Sequence, residues 1–313
     1  MTPLAQPTSI SIKNILFATD LSPSSETALQ YARAFAREPG VRVHTLHVSG
    51  PDDYQLLNPE AFAATFRGKR VDARHSLDAL KGLLDGLPCE VPVRGGAVWE
   101  VIGDVAARNE IDLLILGTHA RTGLPKLLFG SVAEEVFRDV AAPVLIVGSD
   151  VKQPGPARMA IERVLLATDC NPLSNAPAYA AQVCRQFGAE LMVLHVAGED
   201  ATPAAQEQLS PSIPVWRRVK ETLSEIAPCI TELARHPVFL VEYGDPAARV
   251  LHAAMELNAD LLVLGARHPH DVRTASHSPW GTAAKIIAGA PCPVLTLRNR
   301  ETAAVTKRHP KAS

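Results

Sequence analysis

Short apolar runs alternate along this chain with stretches whose apolar positions recur at helical spacing. The first run is Asn14–Thr19. After it, Asp20-Leu21-Ser22-Pro23-Ser24-Ser25-Glu26 supplies capping residues, and Ala28, Leu29, Tyr31, Ala32, Phe35 and Ala36 keep the helical period. Val41–Val48 predicts a second strand, Pro59–Leu87 a long helical stretch, Val91–Arg94 a third strand and Val98–Asn109 a helix. Asp112–Gly117, Ser131–Asp139 and Pro143–Val147 predict a fourth strand, a helix and a fifth strand. The strand runs are apolar throughout rather than alternating, the pattern of parallel strands covered by helices on both faces.

The pattern then starts again. Ile15-Leu16-Phe17-Ala18-Thr19-Asp20 recurs as Val164-Leu165-Leu166-Ala167-Thr168-Asp169, and Leu46-His47-Val48 as Leu194-His195-Val196. Asp112-Leu113-Leu114-Ile115-Leu116-Gly117 recurs as Asp260-Leu261-Leu262-Val263-Leu264-Gly265, and Ala142-Pro143-Val144-Leu145 as Cys292-Pro293-Val294-Leu295. Four matches in one order, at offsets of 148 to 150 residues, indicate two domains rather than a solenoid. The predicted strands of the second copy are Arg163–Thr168, Glu190–Val196, Val238–Glu242, Asp260–Gly265 and Pro293–Leu297. The polar stretch Ser149-Asp150-Val151-Lys152-Gln153-Pro154-Gly155-Pro156 reads as a linker. The expected domains are therefore residues 1–150 and 160–300, followed by a loose polar tail over 301–313.

Composition narrows the function classes. With 313 residues, 47% hydrophobic and 20% charged, each half is large enough to build a core. A formal net charge of −2 and the absence of a basic stripe leave no electrostatic footprint for nucleic acid. The five cysteines (Cys89, Cys170, Cys184, Cys229, Cys292) form no CxxC pair, so reduced, mostly buried thiols are expected. Residues 1–13 lack the layout of a signal peptide and no apolar run is long enough to span a membrane, so a cytoplasmic location is expected.

In open parallel sheets the ligand crevice lies beyond the carboxyl ends of the strands, where strand order reverses. Asp20, Val48 and the loop beginning at Gly117 all sit at such ends. That loop, Gly117-Thr118-His119-Ala120-Arg121-Thr122-Gly123-Leu124-Pro125-Lys126-Leu127-Leu128-Phe129-Gly130-Ser131, leaves a strand and re-enters a helix. Gly117 permits a tight exit and close approach of a ligand. Gly130-Ser131 opens a helix whose free N–H groups and positive dipole end suit a phosphate, with Arg121 and Lys126 adding charge. Taken singly, Gly117 reads better as a turn residue and Ser131 as a plain N-cap, and only their combination on one strand-end loop shifts the balance. The spacing fits neither a Walker A loop nor GxGxxG.

These residues resemble the universal stress protein family, whose nucleotide-binding members carry G-x2-G-x9-G-[S/T] after the fourth strand and an aspartate after the first. Here Gly117 is followed by Ala120 at the second glycine position and by Gly130-Ser131, and Ala18-Thr19-Asp20 supplies the aspartate. The resemblance implies the Rossmann-like adenine nucleotide α-hydrolase fold: α/β, two repeated doubly wound domains, each with a five-stranded parallel sheet. It implies ATP or a related adenine nucleotide as ligand. It also implies assembly through the fifth strand, so that two fused copies make an internal pseudo-dimer. By position, Thr19 and Asp20 would sit near the ribose or a bound metal such as Mg. The backbone of Val48 and Leu116 would read adenine, Gly117, Ala120 and Arg121 would line the phosphate loop, and Gly130, Ser131 and Val132 would hold phosphate.

The second copy departs from this pattern. Between Gly265 and Gly281-Thr282 the loop is longer, carries Pro269 and Pro279, and has His268 at the second glycine position. It reads as degenerate: structural, or binding something smaller such as a monophosphate. His268, His270 and His277 beside Asp271 invite a metal reading, against which solvated or phosphate-facing histidines are weighed. Trp280 is expected to anchor packing, and His47 and His195 to be shielded, hydrogen-bonded histidines. Three functions stay open: a non-enzymatic ATP-binding sensor or regulator of the stress response, a slow ATP-hydrolysing or adenylating enzyme with Asp20 or His119 as its only candidate groups, and a nucleotide-free interaction module. A homo-oligomer through exposed fifth-strand edges is also expected.

Overall fold

A computed structural model of the chain describes residues 10–20, 22–49, 93–95, 97–118, 133, 135–136, 140–149, 151, 161–198, 214–266 and 279–298. Its strands are β1 (Asn14–Thr19), β2 (Arg42–Ser49), β3 (Val93–Gly95), β4 (Leu113–Gly117), β5 (Val144–Val147), β6 (Arg163–Ala167), β7 (Glu190–Ala197), β8 (Val238–Tyr243), β9 (Leu261–Ala266) and β10 (Val294–Arg298). The helices are α1 (Pro23–Phe35), α2 (Val98–Arg108), α3 (Ala176–Phe187), α4 (Val215–Ile226), the short α5 (Pro228–Thr231), α6 (Pro246–Glu256) and α7 (Pro279–Gly289). Helical backbone also occurs at Ala133, Glu135 and Val136, inside the helix expected over 131–139. The helical stretch expected over Pro59–Leu87, the linker residues 152–160 and the tail 301–313 lie outside the described residues.

The ten strands form one sheet in the order β3-β2-β1-β4-β5-β10-β9-β6-β7-β8. Within each lobe every pairing is parallel. The lobes join where β5 and β10 pair antiparallel, with Ile146 opposite Val294, Leu145 opposite Leu295 and Val144 opposite Thr296. Leu145 and Leu295 hold equivalent places in the two copies, so the seam has an internal near-twofold at that pair. This corrects one expectation. Both edges of each fifth strand are occupied within the chain, so no fifth-strand edge remains for a second copy. The internal pseudo-dimer is what forms instead.

Alternation along each strand sends side chains to two apolar layers. Ile15, Phe17, Leu113 and Ile115 face the layer that α1, α3, α4 and α5 cover. Leu16, Ala18, Leu114 and Leu116 face the layer that α2, α6 and α7 cover. Each layer runs without a break across both lobes. At the seam Phe35 and Phe187 meet edge to face at 5.1 Å, Gln186 Nε2 donates to the Phe35 carbonyl at 3.1 Å, and Thr296 Oγ1 donates to the Val144 carbonyl at 3.1 Å. Burial, and then the Asp112 carboxylate of the opposite lobe, push the Tyr179 phenol up to about 12. Burial, with Cys292 and Asp260, likewise raises the phenol of its counterpart, Tyr31.

The repeat extends to strand starts. Asp112 Oδ2 accepts the N–H groups of Lys13 at 2.8 Å and Asn14 at 2.9 Å. Asp260 Oδ2 accepts those of Glu162 and Arg163, both at 2.9 Å. Each carboxylate thus satisfies two amides where the first strand of its lobe begins, before ladder bonds are available.

Candidate functional site

In each lobe the chain runs outward through three strands and then crosses back to the other side of the first. Strand order reverses between β1 and β4, and between β6 and β9. A crevice opens at such a point because the connections leave toward opposite faces.

At the end of β1, Thr19 is buried and Asp20 exposed. Asp20 Oδ1 accepts the Ser22 N–H at 3.1 Å and the Ser25 hydroxyl at 2.5 Å. Ser22 caps α1 by accepting the Ser25 N–H at 3.3 Å, with Pro23 at the first helical turn. Asp169 repeats the turn, its Oδ1 accepting the Asn171 N–H at 3.1 Å. Cys170 within it takes the left-handed φ of 58°. Its N–H donates to Thr168 Oγ1 at 3.0 Å.

Val48 and Leu116 lie on the α2 side of the sheet, half-buried and buried respectively. Gly117 ends β4. A Cβ placed on it would come within 2.6 Å of the Ser24 carbonyl group and 2.7 Å of the Ser25 N. The glycine is therefore demanded first by the approach of the α1 N-terminus to β4. Ala120, Arg121, Gly130, Ser131 and Val132, with His119 and Lys126, lie outside the described residues.

The second lobe holds a cavity of 570 Å³ at its strand ends. Thr168, Asp169, Val196, Leu264, Gly265, Gly281, Thr282 and Ala283 line it. These are the second-copy counterparts of Thr19, Asp20, Val48, Leu116, Gly117, Gly130, Ser131 and Val132. Its lining is mixed: Leu194, Val250 and Ile286 are apolar, while Asp169 and, on the first turns of α7, Thr282 and Lys285 are polar. Gly265 and Gly281 are thus brought together although the loop between them is long. Its histidines lie outside the described residues, and among the described residues no cluster suited to a metal occurs.

Sequence reasoning missed Ser174, Asp245, Pro246 and Lys285. Asp245 caps α6 by accepting the Ala248 N–H at 2.9 Å, so α6 also points its N-terminus at the cavity. The signal was present in Gly244-Asp245-Pro246, a cap and a first-turn proline directly after a strand.

His47 and His195 are half-buried, as expected, and hydrogen-bonded. His47 Nδ1 lies 2.8 Å from the Thr19 carbonyl oxygen and His195 Nδ1 3.0 Å from that of Thr168. Of the cysteines, Cys184, Cys229 and Cys292 are buried free thiols and Cys170 is half-buried. Burial pushes the Cys184 and Cys292 thiols up to about 12 and that of Cys170 up to about 11. Among the described residues no helix is long and apolar enough to cross a membrane.

A doubly wound parallel sheet, present here twice, with a cavity beside a helix N-terminus in the second copy, defines an α/β domain of the nucleotide-binding type. The sequence profile of the Universal stress protein family matches both copies, over residues 11–148 and 160–298. The chain belongs to the universal stress protein family, as a tandem member. A universal stress protein of Methanocaldococcus jannaschii is 30% identical over 156 residues, covering 44% of this chain and 96% of that protein. One of Mycolicibacterium smegmatis is 23% identical over 216 residues, or 66% of this chain and 70% of that protein. The crystal structure of a universal stress protein from Archaeoglobus fulgidus has the same fold over 92% of this chain and 99% of its own, with a TM-score of 0.65 at 21% identity.

Proposed function

We propose that this chain is a stress-response regulator that binds adenine nucleotides at its strand ends and signals by occupancy rather than by turnover. The observation that carries the reading is the strand-end cavity. Its apolar lining (Leu194, Val196, Val250, Leu264) suits a flat base, and Asp169 suits ribose hydroxyls. Thr282, Lys285 and the α7 N-terminus suit a phosphate. The first lobe repeats the frame at Thr19, Asp20, Val48, Leu116 and Gly117 and keeps the shorter loop with Arg121 and Gly130-Ser131. ATP, with Mg as its companion at Asp20, is assigned to that lobe. The second lobe, whose longer loop is interrupted by prolines, is assigned a smaller ligand such as a nucleoside monophosphate.

The test is mass spectrometry of nucleotide released from freshly purified protein, followed by calorimetry with ATP and AMP. ATP at 100 times its dissociation constant is expected to stabilise the fold by about 2.7 kcal/mol. Asp20→Ala is expected to weaken the ATP response measurably without abolishing it, and Asp169→Ala the AMP response. A protein that arrives empty and whose unfolding ignores both nucleotides refutes the proposal. Phosphate release abolished by Asp20→Ala would replace it with the enzyme reading.

A further inference from the structure

We propose that His47 and His195 are positioning residues for the site aspartates, acting through the backbone carbonyl that precedes each one. The inference rests on the nucleotide reading above only for its functional consequence.

β6 parts from both neighbours at its end. Its ladder bonds stop at Ala167, opposite Leu194 on β7 and Leu264 on β9. The next N–H, of Thr168, still donates to the Leu194 carbonyl at 3.0 Å. The Thr168 carbonyl is met instead by a side chain, His195 Nδ1 at 3.0 Å. A carbonyl oxygen only accepts, so Nδ1 carries the proton and the tautomer is assigned by its partner. The peptide leading into Asp169 is therefore held at its carbonyl by β7, and the turn after it by Thr168 Oγ1 and Asp169 Oδ1.

In the first lobe the β1–β2 ladder runs one residue further, to Thr19 opposite His47, and the equivalent histidine contact is made. His47 Nδ1 donates to the Thr19 carbonyl at 2.8 Å, and Asp20 Oδ1 then accepts from Ser22. The contact recurs in both copies, at positions 148 residues apart, and so belongs to the repeated frame rather than to one loop. Strand alternation also fixes what the histidines do not do. Leu194 and Val196 line the cavity, so His195 between them faces the other side of the sheet and reaches the cavity only through Thr168. Packing alone would be served by any residue of similar volume. The assigned role needs a donor at Nδ1.

Asparagine places an amide N–H near the position of Nδ1, whereas phenylalanine keeps the ring and loses the donor. The test compares His47→Phe, His47→Asn, His195→Phe and His195→Asn in the full chain by two readouts. In nucleotide-free protein, amide exchange is followed at Ser22 and Asn171, whose N–H groups donate to the aspartates. The Phe variants are expected to speed it about tenfold, the scale of one hydrogen bond, and the Asn variants to restore it. ATP affinity is then measured for His47→Phe, Asp20→Ala and the double variant. His47→Phe is expected to weaken binding about tenfold alone and to add nothing once Asp20 is gone. Unchanged exchange in the Phe variants overturns the proposal, and so does a loss of affinity that persists in full beside Asp20→Ala. A wild-type chain that binds no ATP overturns the nucleotide reading instead, and the exchange at Ser22 and Asn171 still decides the role of the histidines.

Discussion

Gly117→Ala adds one methyl group where strand β4 meets the start of α1, and the structure says why that is costly. The new Cβ would stand 2.6 Å from both the carbon and the oxygen of Ser24 and 2.7 Å from the Ser25 nitrogen. Ordinary contact begins near 3.4 Å, so one element must move by about 0.8 Å. Neither moves freely. β4 is hydrogen-bonded on both sides, to β1 and β5, and the α1 start is tied down by Ser22 and by the Asp20 carboxylate. Because the clashing atoms are backbone, no side chain can turn aside. A loss of about 2–3 kcal/mol is expected, the upper range for overpacking. Gly281→Ala is the internal control. It lies in the first turn of α7 with no heavy atom within 4 Å of the added Cβ. There alanine is expected to be neutral or to stabilise by up to about 1 kcal/mol. Urea unfolding followed by circular dichroism reads both as shifts in midpoint at constant slope. A Gly117→Ala midpoint equal to wild type, or a Gly281→Ala loss as large as that of Gly117→Ala, refutes the reasoning.

Asp112→Ala and Asp260→Ala should each cost about 1–3 kcal/mol by leaving two strand-start amides without their acceptor, with partial exposure limiting the loss. Near-equal values in urea melts would confirm that the two carboxylates are equivalent staples. Phe35→Ala empties a fully buried site at the lobe seam and should cost about 3–5 kcal/mol, shifting the unfolding of both lobes together rather than one alone in calorimetry. The thiols of Cys184 and Cys292, raised to about 12 by burial, ionise first in the unfolded chain, so the unfolded state binds fewer protons than the native state above about pH 9. Stability is expected to be insensitive to these groups below about pH 8 and to fall as pH rises from about 9 toward 12. A chemical-denaturation series across that window that stays flat would contradict the assignment.

The strands were legible because parallel strands buried on both faces read as unbroken apolar runs. Asn14–Thr19 is found as expected, and Val41–Val48 and Pro143–Val147 shift by a residue at their ends. Asp20, Val48 and the start of the Gly117 loop read as a converging set because strand-end position depends only on order along the chain, whereas the second-copy loop read as degenerate and yet Thr168, Asp169, Gly265 and Gly281-Thr282 line one cavity. What periodicity could not convey was partnership across the sheet. Val144-Leu145-Ile146-Val147 and Val294-Leu295-Thr296-Leu297 carry no charge or proline to protect an edge, and this signalled that something must cover them. It did not say whether the cover was another molecule or the other half of the same chain. Asp112 and Asp260 read only as the first residues of their strands, since their role depends on amides nearly a hundred positions away. The Asp245 cap was readable beside Pro246, but its place at the cavity required knowing where β8 ends.

A seam between two halves of one chain has no dissociation constant. Dilution cannot part β5 from β10, and the surfaces that meet need not be copies of each other. The hydroxyl of Thr296 uses that freedom: it bonds the Val144 carbonyl, while the equivalent position across the near-twofold is Ile146 and offers no donor. The antiparallel join also turns the strand ends of the two lobes to opposite ends of the sheet. One chain therefore presents two sets of strand ends, facing away from each other, that have been free to drift apart in sequence while sharing a single folded body.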